Sequence, residues 1–401
     1  MIKKILPIFL ASLFFSVVFT TQTFALNPFE LIRELGLNSV HFTSTDEGWA
    51  VGRDRLYVRG IFFFEFYERA VILHYNNGEW NVVPLPSKSK CTDNWELHSV
   101  HFPSAEEGWA VGEHRGRTQF GWIKVCERPT ILHYQGGSWS VVAPPEGVHY
   151  TLKSVYFPST DEGWAVGWNN RSGQPAILHY QGGSWSVVTP PEVNMSMTVM
   201  SLNSVHFPST DEGWAVGEQM ILHYKEGQWS VYNVPEALEG TDWELNSVHF
   251  PSTDEGWAVG ETEKTFNEMR ITKGVILHYK EGQWSVYNVP EAPEDLAWQL
   301  HSVHFPFADE GWAVGFTAST PLGSFHYEDD WWSLFVMPKY EFFYFLNSVH
   351  FPSTDEGWAV GRDVMGGEGG FPYEELERGL IFHYKDGEWS EVTPPNVPII
   401  Y

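Results

Sequence analysis

The chain has 401 residues, with 51 acidic against 24 basic side chains and a formal charge of −27. That balance repels phosphate, which excludes nucleic acid or an anionic membrane surface as the main partner. Twenty tryptophans and only two cysteines say that a repeated motif, not a disulfide framework, sets the composition.

The N-terminus carries Lys3 and Lys4, an apolar run over residues 5–18, and small residues at Thr23 and Ala25. This pattern predicts a secretory signal peptide over residues 1–25, cleaved after Ala25. The mature chain is then expected to be secreted, periplasmic or at the cell surface, and monomeric. No other apolar run approaches the length of a membrane span. In an exported chain Cys91 and Cys126 are expected to pair. Such a bridge would contribute roughly 4 kcal/mol in the loop-entropy picture, the alternative being two buried thiols.

After a short segment at 26–36, the motif L-[NHK]-S-V-[HY]-F starts at Leu37, Leu97, Leu152, Leu202, Leu245, Leu300 and Leu346. Each copy continues through GWAVG, a form of ILHY, and WSVV or a variant. Copies four and five share residues 221–237 and 276–292 letter for letter. Every copy therefore offers four short β-rich runs separated by Gly, Asp, Ser and Pro. Seven copies of four strands predict an all-β fold, a seven-bladed β-propeller over residues 37–395, with a short tail at 396–401. A solenoid would need shorter, more regular coils and capping repeats. GWAVG sets one large ring between small residues, and a second tryptophan opens the outer strand, so fourteen of the twenty are framework.

The run SVHFPSTDEGWAVG, followed by an apolar ILHY strand, resembles the repeats of the photosystem II assembly-factor propellers and of the wider BNR (Asp-box) group. The resemblance covers nearly all of 37–395 and implies the propeller fold. The chain departs from the Asp-box turn: HYKEGQW and HYQGGSW keep its Gly and Trp but lose its Ser/Asp pair. The assembly factors carry an arginine patch on one face, which this chain matches only in kind.

With strands labelled a to d, the a–b and c–d turns share one face of the disc, and b–c and d–a share the other. Five residues separate SVHF from GWAVG in every copy, while 19, 18, 9, 3, 15, 8 and 19 separate GWAVG from the ILHY strand. One face is constant and the other diversified, which places binding on the b–c/d–a side. The constant Ser-Thr-Asp-Glu-Gly stretch reads as turn chemistry. Its carboxylates are expected to be solvated and too dispersed for calcium.

Histidine recurs in register in every copy and reads as packing; no cluster has metal-ligand spacing, so neither a metal nor another cofactor is expected. Nine of twelve arginines lie in the b–c segments of copies seven, one and two, among them Arg53, Arg69, Arg128, Arg362 and Arg378. Arg69, Arg128 and Arg378 share one register, each after a Glu. They could hold an anionic group, or form cross-strand Glu–Arg pairs on long hairpins with the adjacent Glu68, Glu127 and Glu377. Phe63, Phe66 and Tyr67 in copy one, and Phe343 and Tyr344 before copy seven, could form an exposed aromatic patch or pack on each other. Trp95, Trp243 and Trp298, two residues before the leucine of strand a, could line the channel or pack between blades.

These features predict a non-enzymatic binding or scaffold propeller that recognises a protein or glycan through the diversified face. A sialidase-like glycoside hydrolase is the alternative; it needs three converging arginines beside a Tyr–Glu pair. A purely structural envelope protein is the third reading, with no catalytic residue in either non-enzymatic case.

Overall fold

In the computed structural model, residues 29–398 are described, except 61–63, 87–94, 115–127, 193–199, 267–268, 290–296, 318–321, 339–342 and 367–374. They form seven four-stranded antiparallel sheets, each ordered a-b-c-d and each drawn from one repeat. The a strands are Phe29–Ser44, Trp95–Ser104, Tyr150–Ser159, Leu202–His206, Trp243–His249, Trp298–Phe307 and Phe343–His350. Each touches the a strand of the blade before and after it, and the first touches the last, so the ring is closed and the a strands are innermost.

An innermost strand is also a sheet edge, with backbone polar groups that no fifth strand pairs. The L-x-S-V-x-F motif satisfies them from the neighbouring blade. In all seven blades a serine Oγ accepts from the valine N–H of the next blade, from Ser39 to Val100 round to Ser348 to Val40, at 3.1–3.2 Å. The residue before the serine donates to the next blade's leucine carbonyl. Asn38, Asn203, Asn246 and Asn347 do this with their amides, and His98 and His301 with Nδ1, at 2.8–3.1 Å.

The leucine, valine and phenylalanine are three and two residues apart, which a regular strand could not bury on one side. A β-bulge at the x between Leu and Ser, present in every blade, corrects the phase. All three apolar side chains then face the gap between blades; Leu202, Val205 and Phe207 are buried. The simple alternation expected for LNSVHF is therefore broken once per blade.

Each gap is its own core. Trp214 of blade 4 is fully buried, stacked at 4.0 Å on His223 of its own blade and at 5.2 Å on Phe250 of blade 5. Trp284 of blade 5 meets it edge-on at 5.6 Å. The same arrangement joins Trp358 of blade 7 to Phe42 and Trp80 of blade 1, which closes the ring by packing rather than by strand exchange. Val397 packs into that closing gap.

The second glycine of GWAVG faces the bulge. A Cβ on Gly217 would lie 1.9 Å from the Ser201 carbonyl oxygen, a backbone atom with no rotamer to yield. Gly217→Ala is expected to lower unfolding free energy by about 3 kcal/mol, read by denaturant titration; a loss under about 0.5 kcal/mol, the range of an ordinary surface change, would contradict the bulge geometry. The c–d turns place two consecutive residues at positive φ, for example Glu226 at 54° and Gly227 at 80°. That is the two-residue hairpin favoured by strand twist, and it explains the Gly kept before the second tryptophan.

Candidate functional site

The constant face is stitched by the motif itself. The Glu of each DEGWAVG meets the Nε2 of the ILHY histidine on strand c, from His74–Glu47 to His383–Glu356, at 2.7–3.4 Å. Half of the carboxylates expected to be solvated caps are thus cross-strand partners. A shallow cleft on this face lies between blades 4 and 5, lined by Glu212, Lys225, Asp254, Glu255 and Lys280.

The channel wall is a ring of His41, His101, Tyr156, His206, His249, His304 and His350, with neighbouring ring centroids 4.3–4.7 Å apart. The Nδ1 atoms of His101, His304 and His350 accept the phenylalanine N–H of the next blade at 3.3–3.4 Å. Burial holds His41 and His249 down at about 4 and pushes His101, His206, His304 and His350 well below the usual histidine range. Burial also raises the Tyr156 hydroxyl to about 12. The wall is neutral at pH 7.

Directly beyond the constant motifs, toward the diversified face, lies the first variable tier. It consists of the residue before each strand-a leucine and the residue after each GWAVG, which face each other across the sheet. The cross-strand pairs are Gly36/Arg53, Glu96/Glu113, Thr151/Trp168, Glu244/Glu261, Gln299/Phe316 and Phe345/Arg362. In blade 4 the Glu218 N–H bonds the Ser201 carbonyl. Burial and the Glu244 carboxylate push Glu218 and Glu261 above the ordinary carboxylate range. Blades 4 and 5 therefore present an acidic arc, and blades 6 and 7 an aromatic one: Phe316 stacks on Phe345 at 4.5 Å, with the Arg362 guanidinium 5.3 Å from the Phe345 ring. Sequence reasoning passed over this tier. The signal that would have found it is position: these are the first non-constant letters on either side of two constant motifs.

Arg69, Arg128 and Arg378 do occupy one register, opposite Asp54, His114 and Asp363. Two of them face buried aspartates across the sheet. Asp54 accepts from Arg69 at 2.8 Å and from two nitrogens of Arg33 at 2.6 and 3.0 Å. Arg378 reaches Asp363 at 3.5 Å and Glu391 at 3.2 Å; burial raises the Asp363 carboxyl, opposed by the Arg378 charge. Arg55 pairs with Glu68, and Arg53 with Glu96 of blade 2 at 2.8 Å. Arg33 also donates to Asn396 and Arg69 to the Pro398 carbonyl, so this cluster fastens the C-terminal segment across the closing seam. Arg128 is exposed.

Trp95, Trp243, Trp298 and Tyr344 are buried between blades. Phe66 and Tyr67 fall on strand c of blade 1 and Phe343 opens strand a of blade 7. Phe63, Cys91, Cys126 and the expected signal peptide lie outside the described residues. Among the described residues no helix is long and apolar enough to cross a membrane.

No protein-family model matches the chain, and no curated protein matches it. Solved structures do. A structure of YCF48 bound to D1 peptide is 16% identical, with a TM-score of 0.51, over 86% of this chain and 98% of that one. YCF48 from Cyanidioschyzon merolae is 15% identical, with a TM-score of 0.52, over 84% and 97%. A GH74 xyloglucanase from Xanthomonas campestris is 10% identical, with a TM-score of 0.51, over 88% of this chain and 55% of that one. The likeness to photosystem II assembly-factor propellers covers 84–86% of the chain, and at these identities it shows the fold.

Proposed function

We propose that the protein is an exported, non-enzymatic propeller that binds a protein partner across its diversified face, over the mouth of the channel. One observation carries this reading. The constant motifs are consumed in building blades, while all large variation in length and charge sits on the b–c/d–a side. The long hairpins of blades 1, 5 and 7 project there, around a tier whose charge changes from blade to blade. The acidic arc at Glu218, Glu244 and Glu261 favours a basic segment of the partner, which would relieve like-charge repulsion. The YCF48 of similar fold is seen with a D1 peptide, which is in keeping with a peptide ligand.

The arginine region serves this reading less directly than its sequence suggests. Arg69 and Arg378 are committed to Asp54 and Asp363, so they do not converge on one open position. This is also why the hydrolase reading is not preferred: it needs three arginines free to grip one carboxylate.

The test compares two charge-reversal variants in capture from the envelope of the exporting cell. Glu218→Lys with Glu261→Lys alters the diversified face, and Asp161→Lys with Asp211→Lys alters the constant face. Loss of the captured partner with the first variant and retention with the second is expected. The reverse pattern would assign binding to the constant face.

A further inference from the structure

The variable tier of blade 2 differs from the other six. Glu96 and Glu113 face each other across strands a and b, and His98 lies beside them on strand a. The His98 Nε2 is 3.9 Å from an oxygen of Glu96 and 3.9 Å from an oxygen of Glu113, and the three donor atoms all lie within 4.8 Å of one another. The His98 side chain is 8% exposed. Its Nδ1 bonds the Leu152 carbonyl at 2.9 Å; a carbonyl can only accept, so Nδ1 carries the hydrogen. With Nδ1 turned to the carbonyl, Nε2 faces the two carboxylates, and in the neutral tautomer it presents its lone pair to them. Among the described residues, nothing donates a hydrogen bond to that nitrogen.

We propose that Glu96, His98 and Glu113 bind one divalent transition-metal cation, with Zn²⁺ the best match. One borderline imidazole nitrogen with two hard carboxylate oxygens is a mixed set that zinc and its neighbours accept, and three donors are too few for calcium. Neighbouring ligand atoms around tetrahedral zinc are about 3.4 Å apart, so the two histidine–carboxylate distances of 3.9 Å must close by about 0.5 Å and the carboxylate pair, within 4.8 Å, by up to about 1.4 Å. The outer contacts that orient metal ligands are in place. Leu152 holds His98, and the Thr151 hydroxyl donates to Glu113 Oε2 at 2.9 Å. Arg53 and Asn38 donate to Glu96 Oε1, the oxygen facing His98, and leave Oε2 buried without a hydrogen bond. Arg53 and Lys153 add positive charge nearby and moderate the affinity without occupying the Nε2 lone pair.

The repeat supplies its own controls. Blade 6 has the same histidine, His301, but its Nε2 meets Gln299 at 3.1 Å. Blade 5 has the same carboxylate pair, Glu244 and Glu261, but Asn246 in place of the histidine, and that amide still reaches the next leucine carbonyl at 3.0 Å. His98→Asn thus recreates an arrangement the ring already tolerates, and removes only the metal-binding nitrogen.

The experiment is calorimetric titration of ZnCl₂ into the metal-stripped full chain, wild type against His98→Asn and Glu96→Gln, with thermal melts of each protein. Wild type is expected to take up one tight equivalent and to melt higher with zinc. His98→Asn should lose that equivalent, a fall of at least about 100-fold, beyond what loss of an outer partner alone costs, while keeping the metal-free melting temperature. Weaker binding at the surface His–Glu pairs should be unchanged in both variants. A wild type without a tight equivalent, or a His98→Asn titration that superimposes on it, overturns the proposal.

Discussion

Acidification from pH 7 to pH 5 is expected to strip the ring of much of its stability. The six channel histidines are held neutral by burial, His41 and His249 at about 4 and the other four well below 6.5. In the unfolded chain each titrates near 6.5. Between those values the unfolded state binds more protons, so stability is complete above about pH 6.5 and falls as pH drops toward 4. For His41 and His249 the loss by pH 5 is on the order of 2 kcal/mol each, and the other four act in the same direction. Urea unfolding at pH 7, 6 and 5 measures it. Blade 3 already carries Tyr156 at this position, and the Nδ1 of His206 is buried without a hydrogen bond. His206→Tyr should therefore remove about one sixth of the pH dependence, leaving the other five histidines to act, with stability at pH 7 nearly unchanged. A pH profile as steep as wild type would show that acid acts elsewhere.

Truncating a strand-b tryptophan is the second large effect. Trp214→Ala removes a fully buried ring that touches His223, Phe250, Tyr279 and Trp284, and so opens the blade 4–5 gap. The backbone on both sides is fixed by ladder bonds and by the Ser204–Val248 bond, so the gap cannot collapse. A loss of about 3–5 kcal/mol is expected in urea titration. Because each gap is a separate core, the equivalent change at Trp257 should cost a similar amount. A loss below about 1 kcal/mol at either position would mean that the gaps are not packed as described.

The propeller was legible because its motif repeats seven times. The spacing gave the blades, and the two sets of loop lengths gave the two faces. The meaning of individual letters was not legible, because their partners are on other blades. Ser39 acts on Val100, and Asn38 on Leu97, contacts that no local period reveals. The channel ring of His41, His101 and their neighbours exists only once the ring closes. The shared register of Arg69 and Arg378 could be read, but its cause could not: the partners are Asp54 and Asp363, fifteen residues back across a hairpin, rather than the adjacent glutamates. Arg33, the third member of the Asp54 cluster, precedes the first repeat and carried no signal. Glu96 and Glu113 are ordinary acids in an acidic chain until the sheet register sets them opposite each other beside His98.

The division into a face that builds and a face that binds is tested most directly by amide hydrogen exchange with and without the captured partner. Protection is expected in the long b–c hairpins and the variable tier, around Glu218, Glu244 and Glu261, with the Asp-Glu-Gly turns unchanged. Protection confined to those turns, with the hairpins exchanging as in the free protein, would contradict it.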